Sequence, residues 1–289
     1  MEYDMIILGS GPAGLSAAVT AIIRKKNILV LGEKDLSMKL VKAHTINNYL
    51  GMPHISGKEL AERIGSHIKQ LGIEITNSKA ARIYNMGDKF AVQSGQDMYQ
   101  GLTVILATGM ITTDPFPGEE EFLGKGVSYC ATCDAALYPG KTAIVIGYSK
   151  KEEEEAEFLA EYAKKVYYIP MYEDADPDTD KVEIINEKPE AVIGDGSVTA
   201  LKTDKREIET DGVFVLREGI APDYLLPGLE MDGVHVKVDR KMNTSIPGVF
   251  ACGDIVGLPY QYIKAAGEGN VAALSAVTYL AEKHGHEHV

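Results

Sequence analysis

The chain has 289 residues, 45% of them hydrophobic and 25% charged, with a formal net charge of −13. That length suits two α/β domains with a sizeable core, and the acidic balance argues against nucleic acid or an anionic membrane as partner. No apolar run approaches the roughly 20 residues of a membrane span, and "YDMIILG" opens directly as a strand without a basic leader, so a cytoplasmic setting is expected.

In chain order, "DMIILG" reads as a strand, "SGPAGLSAAVTAIIRK" as a turn and helix, and "NILVLGE" as a second strand. Gly9, Gly11 and Gly14 fall in G-x-G-x-x-G register between strand and helix. The first permits the tight turn, the second lets backbone approach a pyrophosphate, and the third lets helix and strand pack closely. The helix start then offers free N–H groups to phosphate. Glu33 ends the second strand, where a carboxylate meets a ribose hydroxyl. A glycine turn without ligand is the alternative.

Leu60, Ile64, Ile68 and Leu71 recur at helical spacing. Three strands follow in "IEITNSKAARIYN", "KFAVQSG" and "DMYQGLTVILATG", and the Pro/Gly stretch "TTDPFPGEEEFLGKG" marks a boundary near residue 115. A second strand-turn-helix-strand unit runs from Lys141 to about Ile169, and the acidic "YEDADPDTD" reads as a solvated loop. Beyond about residue 243, "IPGVFACGDIVG" and a long helix return to the first domain. The expected fold is α/β, with two Rossmann-like three-layer domains: 1–114 with 244–289, and an insert at 115–243.

Cys130 and Cys133 form a C-x-x-C pair followed by Asp134. A thiolate is the reactive form, and a helix start lowers a thiol's pKa; the spacing also lets the pair close as a disulfide. Asp134 can move a proton during exchange. Half a zinc site and a passive pair are the alternatives, but no second Cys or His pair has suitable spacing, so no metal is expected. The third cysteine, Cys252, reads as structural. "TVILATG" and "GVFACGDI" are buried strands ending in glycine, with Asp254 beyond the second. The small-residue helix start "AAGEGNVAAL" would let a ring system lie against backbone.

These segments together resemble the FAD domain of the two-dinucleotide-domain flavoprotein disulfide reductases. Cys-Ala-Thr-Cys-Asp resembles the active site of the low-molecular-weight thioredoxin reductases, and the likeness spans essentially the whole chain. It implies FAD as cofactor, a homodimer, and roles at matching positions. Cys133 would face the flavin, Cys130 would attack the protein substrate, and Asp134 would serve as acid and base. Gly9, Ser10, Gly11, Pro12, Ala13, Gly14 and Glu33 would hold the adenine half of FAD. Lys39, Leu40, Asn48, Ala107, Thr108, Gly109, Gly253, Asp254, Gln261, Tyr262 and Ile263 would hold its middle and flavin half. Tyr260 or Tyr262 would cover the flavin ring, or simply pack between loop and helix.

The likeness breaks in "AIVIGYSKKEEEEAEFLA". Pyridine-nucleotide-dependent members carry G-G-G-D-S-A-x-E-E-A here; this chain keeps Gly147 but has Tyr148 and Ser149 for the next two glycines and Glu152 for the small Ala. Glu152 to Glu155 would occupy the dipole field that a phosphate uses and repel it, with a solvated helix face carrying Lys150 and Lys151 as the bland reading. The arginine-rich segment that clamps NADPH is missing before Lys181, and "REGIAPD" replaces "GHxPN". A usable NAD(P)H site is not expected.

The pattern as a whole resembles the flavin-dependent, pyridine-nucleotide-independent ferredoxin:thioredoxin reductases, in "CATCDAALYPGK", "YYIPMY", "ETDGVFVLRE" and "PYQYIKAAGEG". It implies ferredoxin as electron donor and thioredoxin as substrate. An acidic ferredoxin would dock on a basic surface, with Arg24, Lys25 and Lys26, Lys39, Lys42 and His44, or Lys264 as candidates. Rotation of the insert about hinges near 113–117 and 243–247 would carry the dithiol between flavin and thioredoxin. A deazaflavin or other small hydride donor, and an FAD-binding sensor without turnover, remain alternatives. The His284, His286 and His288 tail reads as a frayed terminus.

Overall fold

The computed structural model describes residues 2–34, 40, 44–110, 115–177, 180–217 and 220–286. They divide into two compact domains, Met1–Met110 with Ala221–Val289, and Ile111–Ile220.

The first domain begins with β1 (Glu2–Leu8), α1 (Pro12–Ile23), β2 (Ile28–Gly32), α2 (Gly57–Gln70), β3 (Ile75–Asn77), β4 (Arg82–Asn85), β5 (Phe90–Ser94) and β6 (Asp97–Leu106). The second holds β7 (Val127–Ser128), α3 (Ala131–Asp134), β8 (Thr142–Gly147), α4 (Glu152–Tyr162), β9 (Lys165–Pro170), β10 (Val182–Ile184), β11 (Pro189–Asp195), β12 (Ser197–Thr203), β13 (Glu207–Glu209) and β14 (Gly212–Leu216). The chain then returns to the first with α5 (Pro222–Leu225), β15 (Met231–Asp232), β16 (His235–Val236), β17 (Val249–Ala251) and α6 (Tyr262–His286).

In the first domain, β3, β2, β1 and β6 lie side by side in parallel, and β17 adds to the same edge of β6 that β5 pairs with further back. Met5 and Ile7 of β1 share a core with Ala13, Ala17, Ala18 and Ala21 of α1 and Ala272, Ala273, Ala276 and Leu280 of α6. Ile6 and Leu8, which alternate with them, are equally buried. A strand covered on both faces reads as one apolar run, and each such Ile or Leu contributes roughly 1.5–3 kcal/mol by leaving water. The alanines let the two helices approach closely at this core.

The second domain has a five-stranded parallel sheet in the order β10-β9-β8-β14-β7 and a three-stranded antiparallel sheet of β11, β12 and β13. Tyr138, Val145, Leu159, Tyr168 and Phe214 pack between the parallel sheet and α4.

Three expectations change. The stretch "IEITNSKAARIYN" is two strands: β3 pairs in parallel with β2, and β4 pairs antiparallel with β5. Ser94 holds the intervening bend, through the Ser78 hydroxyl at 2.5 Å and by donating to the Lys79 carbonyl at 2.7 Å. The second domain boundary falls at 220/221 rather than 243/244. Residues 221–243 stay with the first domain, because Ala251 N–H donates to the Met242 carbonyl and His235 bonds the Tyr260 hydroxyl. Finally, α6 continues to His286 where a frayed tail was expected; His288 lies outside the described residues, as do residues 113 and 114 of the expected hinge.

Candidate active site

The glycine turn after β1 is built by contact. Gly9 has φ +113, and a Cβ there would overlap the Ala107 carbonyl; one at Gly14 would overlap the Gly9 carbonyl. At Gly11 the same Cβ would meet nothing within 4 Å. Two glycines therefore close the turn, and the third leaves its outer face open. Gly11 is also the N-cap of α1, which has Pro12 in its first turn and no side-chain cap. The first N–H groups of α1 keep their need for an acceptor, which a phosphate meets. The Ser10 hydroxyl donates to the Glu33 carbonyl at 2.7 Å and fixes the turn against the end of β2.

Ala13 is where the first and last parts of this domain meet. A Cβ on Gly253 would stand 2.8 Å from the Ala13 Cβ, and one on Gly269 would overlap the Ala13 backbone. Gly253 N–H donates to Glu268 at 3.0 Å, and Lys264 Nζ donates to the Gly253 and Gly257 carbonyls at 3.0 and 2.5 Å. Lys264 thus ties down the loop that carries Asp254 and does not present a free basic surface. Arg24 and Lys25 are exposed at the end of α1 and His44 is exposed, whereas Lys39 and Lys42 lie outside the described residues.

Asn48 Nδ2 donates to Gln261 Oε1 at 2.6 Å. Leu40 is fully buried with Ile46, Ile55 and Leu60, and Tyr262 packs on that cluster. Burial, with Asp254 nearby, raises the Tyr262 pKa. Tyr260 is engaged instead by His235, at 2.8 Å. Ala107 is buried beside Gly9, Thr108 is exposed, Gly109 takes φ +72, and Ile263 is 38% exposed. Cys252 is wholly buried, and burial pushes its thiol up.

In the second domain, Cys130 and Cys133 are joined by a disulfide, with Cα atoms 5.3 Å apart. Cys130 is the N-cap of α3, and its Sγ accepts from the Cys133 N–H at 3.2 Å. Both sulfurs' residues and Asp134 are half-buried. Burial, with Asp134 and Asp211 nearby, pushes the Tyr138 hydroxyl up to about 12. The Ala131 N–H, the first of α3, donates to Glu155 Oε2 at 3.0 Å. Among the described residues no group of three His, Cys, Asp or Glu could hold a metal, and no helix is long and apolar enough to cross a membrane.

The second strand-turn-helix is filled from within. A Cβ on Gly147 would overlap the Tyr168 hydroxyl. That hydroxyl lies 3.0 Å from the Tyr172 hydroxyl, which donates to Glu153 at 2.6 Å. Glu152 accepts from the Ser149 hydroxyl at 2.5 Å. Glu152 and Glu153 are 1% and 5% exposed, so this part of the glutamate run is interior, not a solvated face. Tyr148 lies under the Arg217 guanidinium, whose carbon is 5.4 Å from its ring centroid, and Arg217 forms a paired contact with fully buried Glu119. Side chains thus occupy the turn where glycines would leave room for a pyrophosphate.

The model for pyridine nucleotide-disulphide oxidoreductases matches residues 3–269. The chain belongs to that family. Within it, the chain is 34% identical to a thioredoxin reductase of Aquifex aeolicus (strain VF5), covering 97% of this chain and 94% of the relative. The structure of a ferredoxin-flavin thioredoxin reductase from Clostridium acetobutylicum matches with a TM-score of 0.91 at 51% identity, covering 97% of this chain and 99% of that one. A thioredoxin reductase from Gloeobacter violaceus matches with a TM-score of 0.82 at 30% identity, covering 97% and 95%. The thioredoxin reductases of the pyridine nucleotide-disulphide oxidoreductase family are FAD-binding flavoproteins, and the open first turn fits that group.

Sequence reasoning missed Gly269, Glu119, Glu155 and the Tyr168–Tyr172 pair as parts of these sites. Only Gly269 had a legible signal, in the small-residue start of α6.

Proposed function

We propose that the chain is an FAD-dependent reductase that takes electrons from reduced ferredoxin and passes them through Cys130 and Cys133 to thioredoxin, without NAD(P)H. The observation that carries this reading is an intact Cys-Ala-Thr-Cys-Asp beside a second nucleotide turn filled by Tyr168, Tyr148 and Arg217. The likeness to the ferredoxin-flavin thioredoxin reductase of Clostridium acetobutylicum supports it.

Residues Gly9 to Gly14 would receive the pyrophosphate of FAD on the α1 N-terminus, with Glu33 at the ribose. Asn48, Ala107, Thr108, Gly109, Gly253, Asp254, Gln261, Tyr262 and Ile263, with Leu40 behind them, would frame the remainder; Lys39 is proposed from the resemblance alone. Bound FAD would accept electrons singly and deliver them as a pair, which is what links a one-electron donor to a disulfide. In the reduced protein, the Cys130 sulfur attacks one sulfur of the thioredoxin disulfide, forming a mixed disulfide and releasing a thioredoxin thiolate. Asp134 takes up the Cys130 thiol proton and passes it to that thiolate. The Cys133 sulfur then attacks Cys130, restores their bond and releases the second thioredoxin thiol. Two electrons and two protons leave the pair.

Acidic ferredoxin would meet exposed Arg24 and Lys25, and the resemblance supports a cytoplasmic homodimer. Replacing either cysteine by serine tests the scheme. Each variant is expected to lose thioredoxin turnover by more than 100-fold, on the order of a lost nucleophile. Full activity in Cys130→Ser would overturn the assignment.

A further inference from the structure

We propose that Glu155 is a positioning residue for the redox pair: its carboxylate takes the first amide of the C-x-x-C helix and so holds back ionisation of the Cys130 thiol. This rests on reading Cys130 and Cys133 as the working pair.

A C-x-x-C sulfur at a helix start is ordinarily activated by the free N–H groups that face it. Here Cys130 Sγ is the side-chain cap of α3 and holds the Cys133 N–H at 3.2 Å, with the Thr132 hydroxyl at 3.4 Å. The Ala131 N–H is already donated to Glu155 Oε2 at 3.0 Å. A thiolate forming on Cys130 therefore has one helix amide fewer to share, and it forms beside a carboxylate. The contact is held rigidly. Ala131 and Ala135 pack on Ala156 and Leu159, all within one buried cluster, so Glu155 projects from a helix that cannot back away.

Further charged and titratable groups stand around α3, and Lys151 caps α4 one turn before Glu155. Asp134 is on α3 itself, Tyr138 follows it, Asp211 faces Tyr138, and the Lys141 ammonium lies 5.3 Å from the Tyr138 ring centroid. A thiolate that is less stabilised is the more nucleophilic sulfur and the poorer leaving group. Glu155 thereby favours electron flow outward, from the pair into thioredoxin.

The test uses the FAD-loaded full-length protein and needs neither ferredoxin nor thioredoxin, so its failure is distinct from failure of the proposed function. Glu155→Gln keeps an oxygen to accept the Ala131 N–H and removes only the charge. Its pH profile of iodoacetamide alkylation should move the first thiol to lower pH by about 0.5–1 unit, as expected for one charge at close range in a partly buried site. In dithiothreitol redox buffers at pH 9, its dithiol form should be favoured roughly 3–10-fold, tenfold being about 30 mV for this two-electron couple. At pH 6, where both proteins hold neutral thiols, the two should coincide. Glu154→Gln, an exposed neighbour with the same charge change, should leave both readings at wild type. Glu155→Ala, which removes charge and acceptor together, gives a second variant with the same direction of shift. An unchanged thiol profile and pH 9 equilibrium in Glu155→Gln or Glu155→Ala, with or without a loss of melting temperature, would overturn the proposal.

Discussion

The Tyr168 hydroxyl fills the space against Gly147 that a Cβ on that glycine would need. In a nucleotide-binding unit the glycine at the end of the first strand makes room for backbone and phosphate. Here it makes room for a tyrosine. Tyr168 leads through Tyr172 to Glu153, which also accepts the Asp176 N–H at 3.1 Å. The glycine survives in the sequence, but its neighbour is now a side chain of β9.

Gly147→Ala should therefore destabilise the second domain, by about 1–3 kcal/mol as for overpacked cores, read as a lowered denaturant midpoint. Tyr168→Phe alone should cost about 1 kcal/mol by loss of a buried hydrogen bond. The double variant should be less destabilised than the sum of the two, because the hydroxyl, the nearest of the Tyr168 atoms that would clash, is gone. Strict additivity would mean that the hydroxyl is not what crowds a Cβ at Gly147.

The same chain of hydroxyls sets a response to alkaline pH. Burial foremost, with Glu152 and Glu153 nearby, pushes Tyr168 from 10.0 up to about 12, and burial and Glu153 raise Tyr172 further. A raised folded-state pKa means the folded protein holds the proton more tightly than the unfolded one. The stabilisation is complete below pH 10 and is lost as pH rises through 12. Denaturant midpoints measured between pH 9.5 and 11.5 should fall, and the slope should be shallower in Tyr168→Phe. A flat profile in the wild-type protein would contradict this.

Arg217 and Glu119 form a pair 98 residues apart, 8% and 0% exposed at their side chains. Arg217→Ala leaves a carboxylate buried without its cation, which costs about 3–5 kcal/mol. Arg217→Met with Glu119→Gln should recover most of that loss. Equal midpoints for wild type and Arg217→Ala in chemical denaturation would refute the burial argument.

Cys252 is buried and its thiol is pushed up by burial, with Glu268 adding to the shift. The oxidised native protein should show no thiol reactive toward an aromatic disulfide reagent at pH 8. One should appear on unfolding, since Cys130 and Cys133 are bonded to each other. Rapid labelling of the native protein would show that the core around Cys252 opens.

What could be read from the sequence was what is local. Gly9, Gly11 and Gly14 each answer a backbone requirement within one turn, so their spacing announces the cradle. The Cys130–Cys133 pair is equally local, and its disulfide is present in the structure. The glutamate run was half legible. Its placement on the first turn of α4 was plain, but the burial of Glu152 and Glu153 was not. Glu153 finds Tyr172 19 residues away, and Glu155 finds Ala131 24 residues away. Neither partner has a periodicity that points to the other. The boundary near residue 243 failed for a related reason. The hinge expected at residues 243–247 falls in a turn within the first domain, closed by Thr244 N–H to the Val249 carbonyl, and composition alone does not separate such a turn from a linker.

The central claim is that electrons reach the flavin from ferredoxin and not from NAD(P)H. The direct measurement is the flavin absorbance of the FAD-loaded protein without oxygen, after mixing with reduced ferredoxin in one arm and NADPH or NADH in the other. Bleaching by ferredoxin with no saturable bleaching by either nucleotide is the expected result. Rapid, saturable bleaching by NADPH or NADH would contradict the account, since Tyr168, Tyr148 and Arg217 could not then fill the nucleotide site.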